Sequence, residues 1–291
     1  MIYEFIYNHS EYPVAKWVAF FKVSRSGYYD YIQRRDDRDR EISLYKDRIK
    51  SIFKDSNSTY GPERVCGVLR KTGIKASYRK VSAYMNEMGL KSIHTRHRTR
   101  SLTNSRKARG EGYINHVKDR VFIKLREAVC SDITYLKCSE GWLYLCTVKD
   151  IVSGEILGEA TSETMKKELV IQAFLNAQAR YGLGRGIIFH SDRGSQYTSN
   201  EFMKTLALYG ITQSFSRVGM PGDNAWAESF FATLKKECIH FKQFRTRDEL
   251  RQTVFAWIEC FYNTHRVQER LGYLSPRAYA RMMLGIVDRA A

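Results

Sequence analysis

The chain has 291 residues with Lys+Arg 48 against Asp+Glu 31, a formal net charge of +17 that points to a polyanionic partner. Hydrophobic residues at 43% and aromatics at 13% exclude a disordered basic tail and suffice for a sizeable core, in one large domain or two smaller ones. Six cysteines with no C-x-x-C pair and no zinc spacing to a histidine, no leader and no apolar stretch of ~20 residues predict a cytoplasmic chain without disulfide scaffold, structural zinc or membrane span.

The positive charge is concentrated upstream. Residues 1–130 hold 28 Lys/Arg and 14 Asp/Glu, whereas residues 131–291 hold 20 and 17. Val14 to about Arg35 reads as two short helices around a turn at Ser24–Gly27, with tyrosines packed behind. Tyr45 to Leu90 has apolar residues at helical spacing, a break at Thr72-Gly73, and Ser77 as the cap of a further helix. Arg79 and Lys80 near the start of that helix suit a helix-turn-helix that enters a major groove; a plain three-helix packing unit fits the pattern about as well.

Between Glu87 and Glu111 the basic residues, Arg96, Arg98 and Arg100 among them, meet no acid. The run is polar, which reads as a linker, and its position between two segments that suggest nucleic acid makes it a candidate phosphate contact.

From about residue 115 the rhythm changes. Val129–Leu136, Trp142–Val152 and Glu155–Ala160 read as a three-strand meander, then Met165–Tyr181 as a helix, Gly186–His190 as a buried strand, Ser199–Tyr209 as a helix and Ile211–Ser216 as a fifth strand. Asn224–Cys238 and Arg247–Tyr262 read as closing helices. This β-β-β-α-β-α-β-α order predicts an α/β fold, a mixed five-stranded sheet flanked by helices and preceded by an all-helical region.

Three carboxylates carry the chemistry. Asp132 lies inside the apolar run AVCSDITYL, where a charge is costly without a partner, a cleft or a metal. Asp192 directly follows the strand GIIFH, at a strand end where α/β sheets hold ligands. Glu228 lies on the helix NAWAESFFATLKKE. With no histidine or cysteine in the set, the site is oxygen-rich and suits hard octahedral cations, Mg²⁺ or Mn²⁺; two such ions ~3.5–4 Å apart serve phosphoryl transfer. Each acid alone has a plainer reading, a satisfied buried Asp, a loop or capping Asp, and a first-turn helix acid, and Asp150 at the end of the second strand is a rival member.

At these residues the sequence resembles the integrase-type transposases of bacterial insertion sequences, the OrfB class within the DDE transposase and retroviral integrase superfamily. SDITYL around Asp132, HSDRGSQYTS around Asp192 and GMPGDNAWAESFFATLKKE around Glu228 carry the resemblance, and Asp192 and Glu228 are separated by 35 residues, the spacing that names the D-D-35-E group. It covers nearly the whole chain, through SRSGYYDY, YGPERVCGVLRKTGIKASYRKVSAYMNEMGL and the closing ECFYNTHRVQERLGYLSPRAYA. The family usually has Trp where this chain has Cys130, and His where it has Gln268.

The resemblance implies an RNase H-like core in which Asp132, Asp192 and Glu228 hold two Mg²⁺, with Mn²⁺ as a substitute. It also implies Lys235 as a basic residue seven positions after Glu228. Seven helical residues turn through ~700° and rise ~10 Å, so Lys235 shares Glu228's face and is positioned for a DNA phosphate. Arg193, Ser195 and Gln196 would position DNA near the acids or shape their turn. The implied organisation is a helical DNA-binding region at 1–90, a basic linker at 91–114 and the catalytic core at 115–285. The implied partners are double-stranded DNA, as element ends and target, further copies of the chain assembled on it, and an upstream-frame protein, as a partner or frameshift fusion; the setting is the bacterial nucleoid. The expected activity is end cleavage by water followed by attack of the new 3′-hydroxyl on DNA. A catalytically silent DNA-binding repressor and a non-specific RNase H-like nuclease are the alternatives.

Overall fold

The computed structural model describes residues 2–93, 113–217 and 224–286. Arg96, Arg98 and Arg100 lie outside these residues.

The N-terminal helices are α1 (Ile2–Asn8), α2 (Val14–Phe20), α3 (Arg25–Asp55), α4 (Pro62–Lys71) and α5 (Tyr78–Glu87). The expected turn at Ser24–Gly27 is instead the start of α3: Ser24 caps it by accepting from the Gly27 N–H, and the helix continues for 31 residues. The charged stretch after Arg34 contains no Gly or Pro, and pairs such as Arg35–Asp39 (3.9 Å) and Arg40–Asp37 (3.5 Å) lie one turn apart, so nothing breaks the helix where two units were expected. At ~1.5 Å per residue α3 is a rod of about 46 Å. Its Tyr28 packs with Ile6 and Val18 at one end, and its Ile49 and Phe53 pack with Val65, Leu69, Val81 and Met85 at the other. The break at Thr72-Gly73 and the Ser77 cap, which accepts from the Lys80 N–H, stand as expected.

The core sheet comprises β1 (Ala128–Cys138), β2 (Gly141–Asp150), β3 (Ile156–Ser162), β4 (Ile188–Ser191) and β5 (Thr212–Phe215), in the order β3-β2-β1-β4-β5. β1, β2 and β3 are antiparallel neighbours, while β4 and β5 run parallel to β1. Side chains alternate between the two faces. Cys146 and Val148 of β2 pack under α6 (Lys167–Tyr181) and α7 (Asn200–Leu208), whereas Leu143 and Leu145 pack under α8 (Ala225–Leu234) and α9 (Arg247–Ala256). The expected mixed sheet between two helical layers is therefore the observed one. α8 and α9 each pass into a single π turn, Lys235–Ile239 and Trp257–Tyr262, and α10 (Pro276–Met283) follows.

Gly158 on β3 admits α6 into direct backbone contact. A Cβ there would stand 2.4 Å from the Ala177 nitrogen and 2.6 Å from the Ala173 oxygen, atoms that no rotamer change can move. Gly158→Ala should therefore displace α6 and cost roughly 3 kcal/mol, lowering the melting temperature by about 6–12 °C in a thermal scan. An unchanged transition would mean that the helix is not held this closely.

Candidate active site

Alternation along β1 decides where Asp132 points. Cys130, Leu136 and Cys138, which share its parity, are buried on the α8 side of the sheet, whereas Val129 packs on the α6 side. Asp132 thus faces the layer that carries Glu228, and its Oδ1 accepts from the Ile133 N–H at 2.8 Å. β4 is parallel to β1 and ends at Ser191, so Asp192 emerges beside it, where its Oδ1 accepts from the Gly194 N–H at 3.0 Å. Glu228 lies in the first turn of α8, at the positive end of the helix dipole.

Asp132 senses the other two acids. Burial, then the charges of Asp192 and Glu228, push its carboxyl up to about 7, against the Ile133 hydrogen bond and the Lys235 charge. Asp192 is raised because the protein packed around its carboxyl strips water from it, against the Gly194 hydrogen bond. Glu228 is raised by burial, and the Lys235 ammonium is lowered by burial and drawn back up by Asp132. Lys235 sits with its Nζ 5.1 Å from the centre of the Tyr135 ring, near enough to Asp132 for the two charges to act on each other. The donors are oxygens only and their negative charge is relieved by one lysine, a chemistry that fits hard divalent cations. Among the described residues, however, no three acidic, histidine or cysteine side chains are drawn together closely enough to enclose an ion.

The other expected residues are distributed around this site. Arg193 donates from Nε to the Ser216 carbonyl at 3.0 Å and lies over Tyr113, which braces the turn. Ser195 and Gln196 line a hollow of about 270 Å³ with Lys166 and Lys167, and Gln196 donates to the Met165 carbonyl. Arg79 and Lys80 are exposed on the first turn of α5, with the Lys80 ammonium 4.5 Å from the centre of the Tyr45 ring. Asp150 does not join the acids. Its Oδ1 accepts from the Arg126 N–H, and its Oδ2 accepts from both the N–H and the hydroxyl of Ser153, so its oxygens are consumed in closing a turn.

Three positioning residues escaped sequence reasoning. Asn224, just before α8, donates to the Ser131 carbonyl at 3.2 Å and so sets the start of the helix against the strand of Asp132. Lys149 of β2 is buried and donates to the Trp226 carbonyl at 2.6 Å. Glu237, in the π turn after α8, accepts from Arg266 through both oxygens at 2.8 Å and has Arg64 of α4 at 3.9 Å. Only Lys149 left a sequence signal, a lysine on the strand directly after the apolar run YLCTV. The helical region docks on the same surface: the Tyr60 hydroxyl donates to the His265 carbonyl and accepts from the Val267 N–H, and the ring of Tyr273 lies against Gly67. At the two departures from the family pattern, Cys130 is buried in a cluster that also takes the bulk of Trp226, and Gln268 donates to the Tyr262 hydroxyl at 3.3 Å.

A parallel β1-β4 pair with acids on the central strand, at the adjacent strand end and on the covering helix defines a protein of the integrase-core class. Family models agree: one described as an integrase core domain matches residues 126–221, a second of that description matches 228–284, and an HTH-like domain matches 38–98. The transposase for insertion sequence element IS904 of Lactococcus lactis is 36% identical over 242 residues, 83% of this chain and 95% of the relative. The InsF transposase for insertion sequence IS3A of Escherichia coli is 34% identical over 286 residues, 96% and 98% of the two chains. The chain belongs to the IS3 family of insertion-sequence transposases, whose integrase cores are of the polynucleotidyl-transferase type. Among solved structures it is similar to a chain of the simian T-cell lymphotropic virus intasome in complex with a PP2A regulatory subunit, at 15% identity and a TM-score of 0.44 over 72% of this chain and 70% of that one. A second is the HTLV-2 integrase catalytic core domain in complex with magnesium, at 19% identity and a TM-score of 0.39 over 51% and 93%. Among the described residues no helix is long and apolar enough to cross a membrane.

Proposed function

We propose that the chain is an active DNA transposase that cleaves an insertion-sequence end and transfers the freed 3′-hydroxyl to a second DNA strand, using Asp132, Asp192 and Glu228 as its acidic set. The observation that carries this reading is the placement of three carboxylates on the central strand β1, just past the parallel β4 and in the first turn of the covering α8, with the charges of Asp192 and Glu228 raising Asp132 and that of Lys235 lowering it. Perturbed acids gathered in this way mark functional sites more often than packing alone would produce. Magnesium held by the three carboxylates, with manganese as a substitute, would supply activation of the attacking oxygen and stabilisation of the leaving one.

The chain's own residues orient the strands. Lys235 holds a phosphate beside the acids, Arg193 stiffens the turn that carries Asp192, and Ser195 and Gln196 line the hollow beside it along which a strand would run. Arg79 and Lys80 on α5 contact the duplex, and the linker residues Arg96, Arg98 and Arg100 add salt-sensitive phosphate contacts. In this reading residues 1–90 bind DNA, 91–114 link and 115–285 catalyse. Copies of the chain assemble on paired ends in the nucleoid, with an upstream-frame protein, as partner or fusion, supplying further end recognition.

The test is a plasmid carrying the gene with its native flanks, including any upstream frame, beside an Asp192→Asn copy, with amplification outward across the two element ends. Junctions from the wild type alone are the expected result. Cleavage without junctions would favour a plain nuclease, and absence of both from a folded, expressed protein would favour a silent DNA-binding repressor.

A further inference from the structure

Behind α8 lies a second cavity, of about 420 Å³, walled by the helical region, the sheet and the C-terminal segment together. Trp226, Ser229, Phe230 and Thr233 line it at helical spacing, a single stripe of α8 from which Glu228 is excluded. Facing them are four cations, Arg64, Lys149, Arg266 and Arg270, and one acid, Glu269. Glu237 neutralises Arg266 and stands 3.9 Å from Arg64, leaving Lys149 and Arg270.

Lys149 is 5% exposed. Its Nζ donates to the Trp226 carbonyl and lies 5.9 Å from the centre of the Phe230 ring; among the described residues no carboxylate comes within 4.0 Å of it. Among the described residues Arg270 donates to neutral oxygens, of Val152 and Gln268. A buried ammonium with no counter-charge is costly, and Lys149 buried on the wall of a ligand-sized cavity with an aromatic floor, with the exposed Arg270 at its rim, forms a cationic pair suited to an anion.

The geometry points to a phosphate-binding site in this cavity, taken by a phosphodiester of the DNA on which the proposed transposase acts, with Lys149 and Arg270 donating to its oxygens and Trp226 against the adjoining nucleotide. As a DNA site it rests on the transposase reading. A free phosphate ester shares the chemistry, and the two sources separate experimentally.

The experiment measures binding of a short mixed-sequence duplex over a salt series for wild type, Lys149→Met and Arg270→Gln. Each cation variant should lose about one unit of salt slope and bind roughly tenfold more weakly at low salt. If the slopes do not change but inorganic phosphate raises the melting temperature of the wild type and not of Lys149→Met, the site takes free phosphate esters. Unchanged slopes together with no phosphate effect would overturn the site. Arg270 is exposed, so Arg270→Gln decides the matter should Lys149→Met not fold. A lost slope in a protein whose wild type makes no junctions would keep the site and reject the transposase reading; junctions with unchanged slopes and no phosphate effect would do the reverse.

Discussion

Asp132→Asn should fold, melt higher than the wild type in the absence of divalent ions, and lose end cleavage and joining by at least roughly a thousandfold. The loss follows from removing several kcal/mol of charge stabilisation at a phosphoryl-transfer site. The gain in stability follows from the position of the residue. Burial, Asp192 and Glu228 lift Asp132 from 3.8 to about 7, so the folded protein binds that proton more tightly than the unfolded chain does. The stabilisation is complete below the unfolded value and is lost as pH rises through about 7, above which the charged carboxylate works against folding. Asparagine removes the charge with little change in shape, so its advantage should grow between about pH 4 and pH 8, reaching on the order of 2–4 kcal/mol after allowance for screening. Magnesium should reverse the order: at about a hundred times its dissociation constant it adds ~2.7 kcal/mol to the wild type and little to Asp132→Asn. Thermal scans with and without magnesium at the two pH values check this. Equal magnesium stabilisation of both proteins would remove Asp132 from the metal-binding set.

The core was legible because its signals are local. Strand runs of the right length, the Ser77 cap, and acids at a strand end and in a helix's first turn each need only a few neighbouring residues, and Ser77 does accept from the Lys80 N–H. What sequence could not decide depended on distant partners. Asp150 reads as a rival to one of the three acids, but its oxygens are occupied by Arg126, 24 residues away, and by Ser153. In sequence α3 reads as two units because its middle is charged all round, and the apolar clusters that hold its ends arise from separate parts of the chain. Glu237 and Arg266, 29 residues apart, gave no sign of being a pair, since a Glu within KKEC and an Arg after His265 both read as surface residues. The π turns at Lys235–Ile239 and Trp257–Tyr262 were also invisible, because the sequence through them has ordinary helical composition.

That pair predicts the second large effect. Glu237→Gln should cost ~3–5 kcal/mol and lower the melting temperature by roughly 6–20 °C, the range expected when a buried ion pair loses one partner. The Glu237 side chain has no exposed surface and that of Arg266 is 7% exposed, so glutamine keeps the shape while leaving a guanidinium in the interior without an anion. The double variant Glu237→Gln with Arg266→Met should recover most of the loss, because a buried pair replaced by uncharged groups is close to neutral. The consequence extends beyond stability. Glu237 lies two residues past Lys235 on one π turn, and Arg64 and Tyr60 bring the helical region against the same junction. Loosening it should raise amide hydrogen exchange in α4 and α5, and should weaken joining of element ends more than binding of a short duplex, since joining needs the helical region and the acids held in fixed relation. If Glu237→Gln melts with the wild type and α4 keeps its protection, the helical region is held by other contacts, those of Tyr60, Val267 and Tyr273–Gly67 among them, and Glu237 does not couple the DNA-binding helices to the acids.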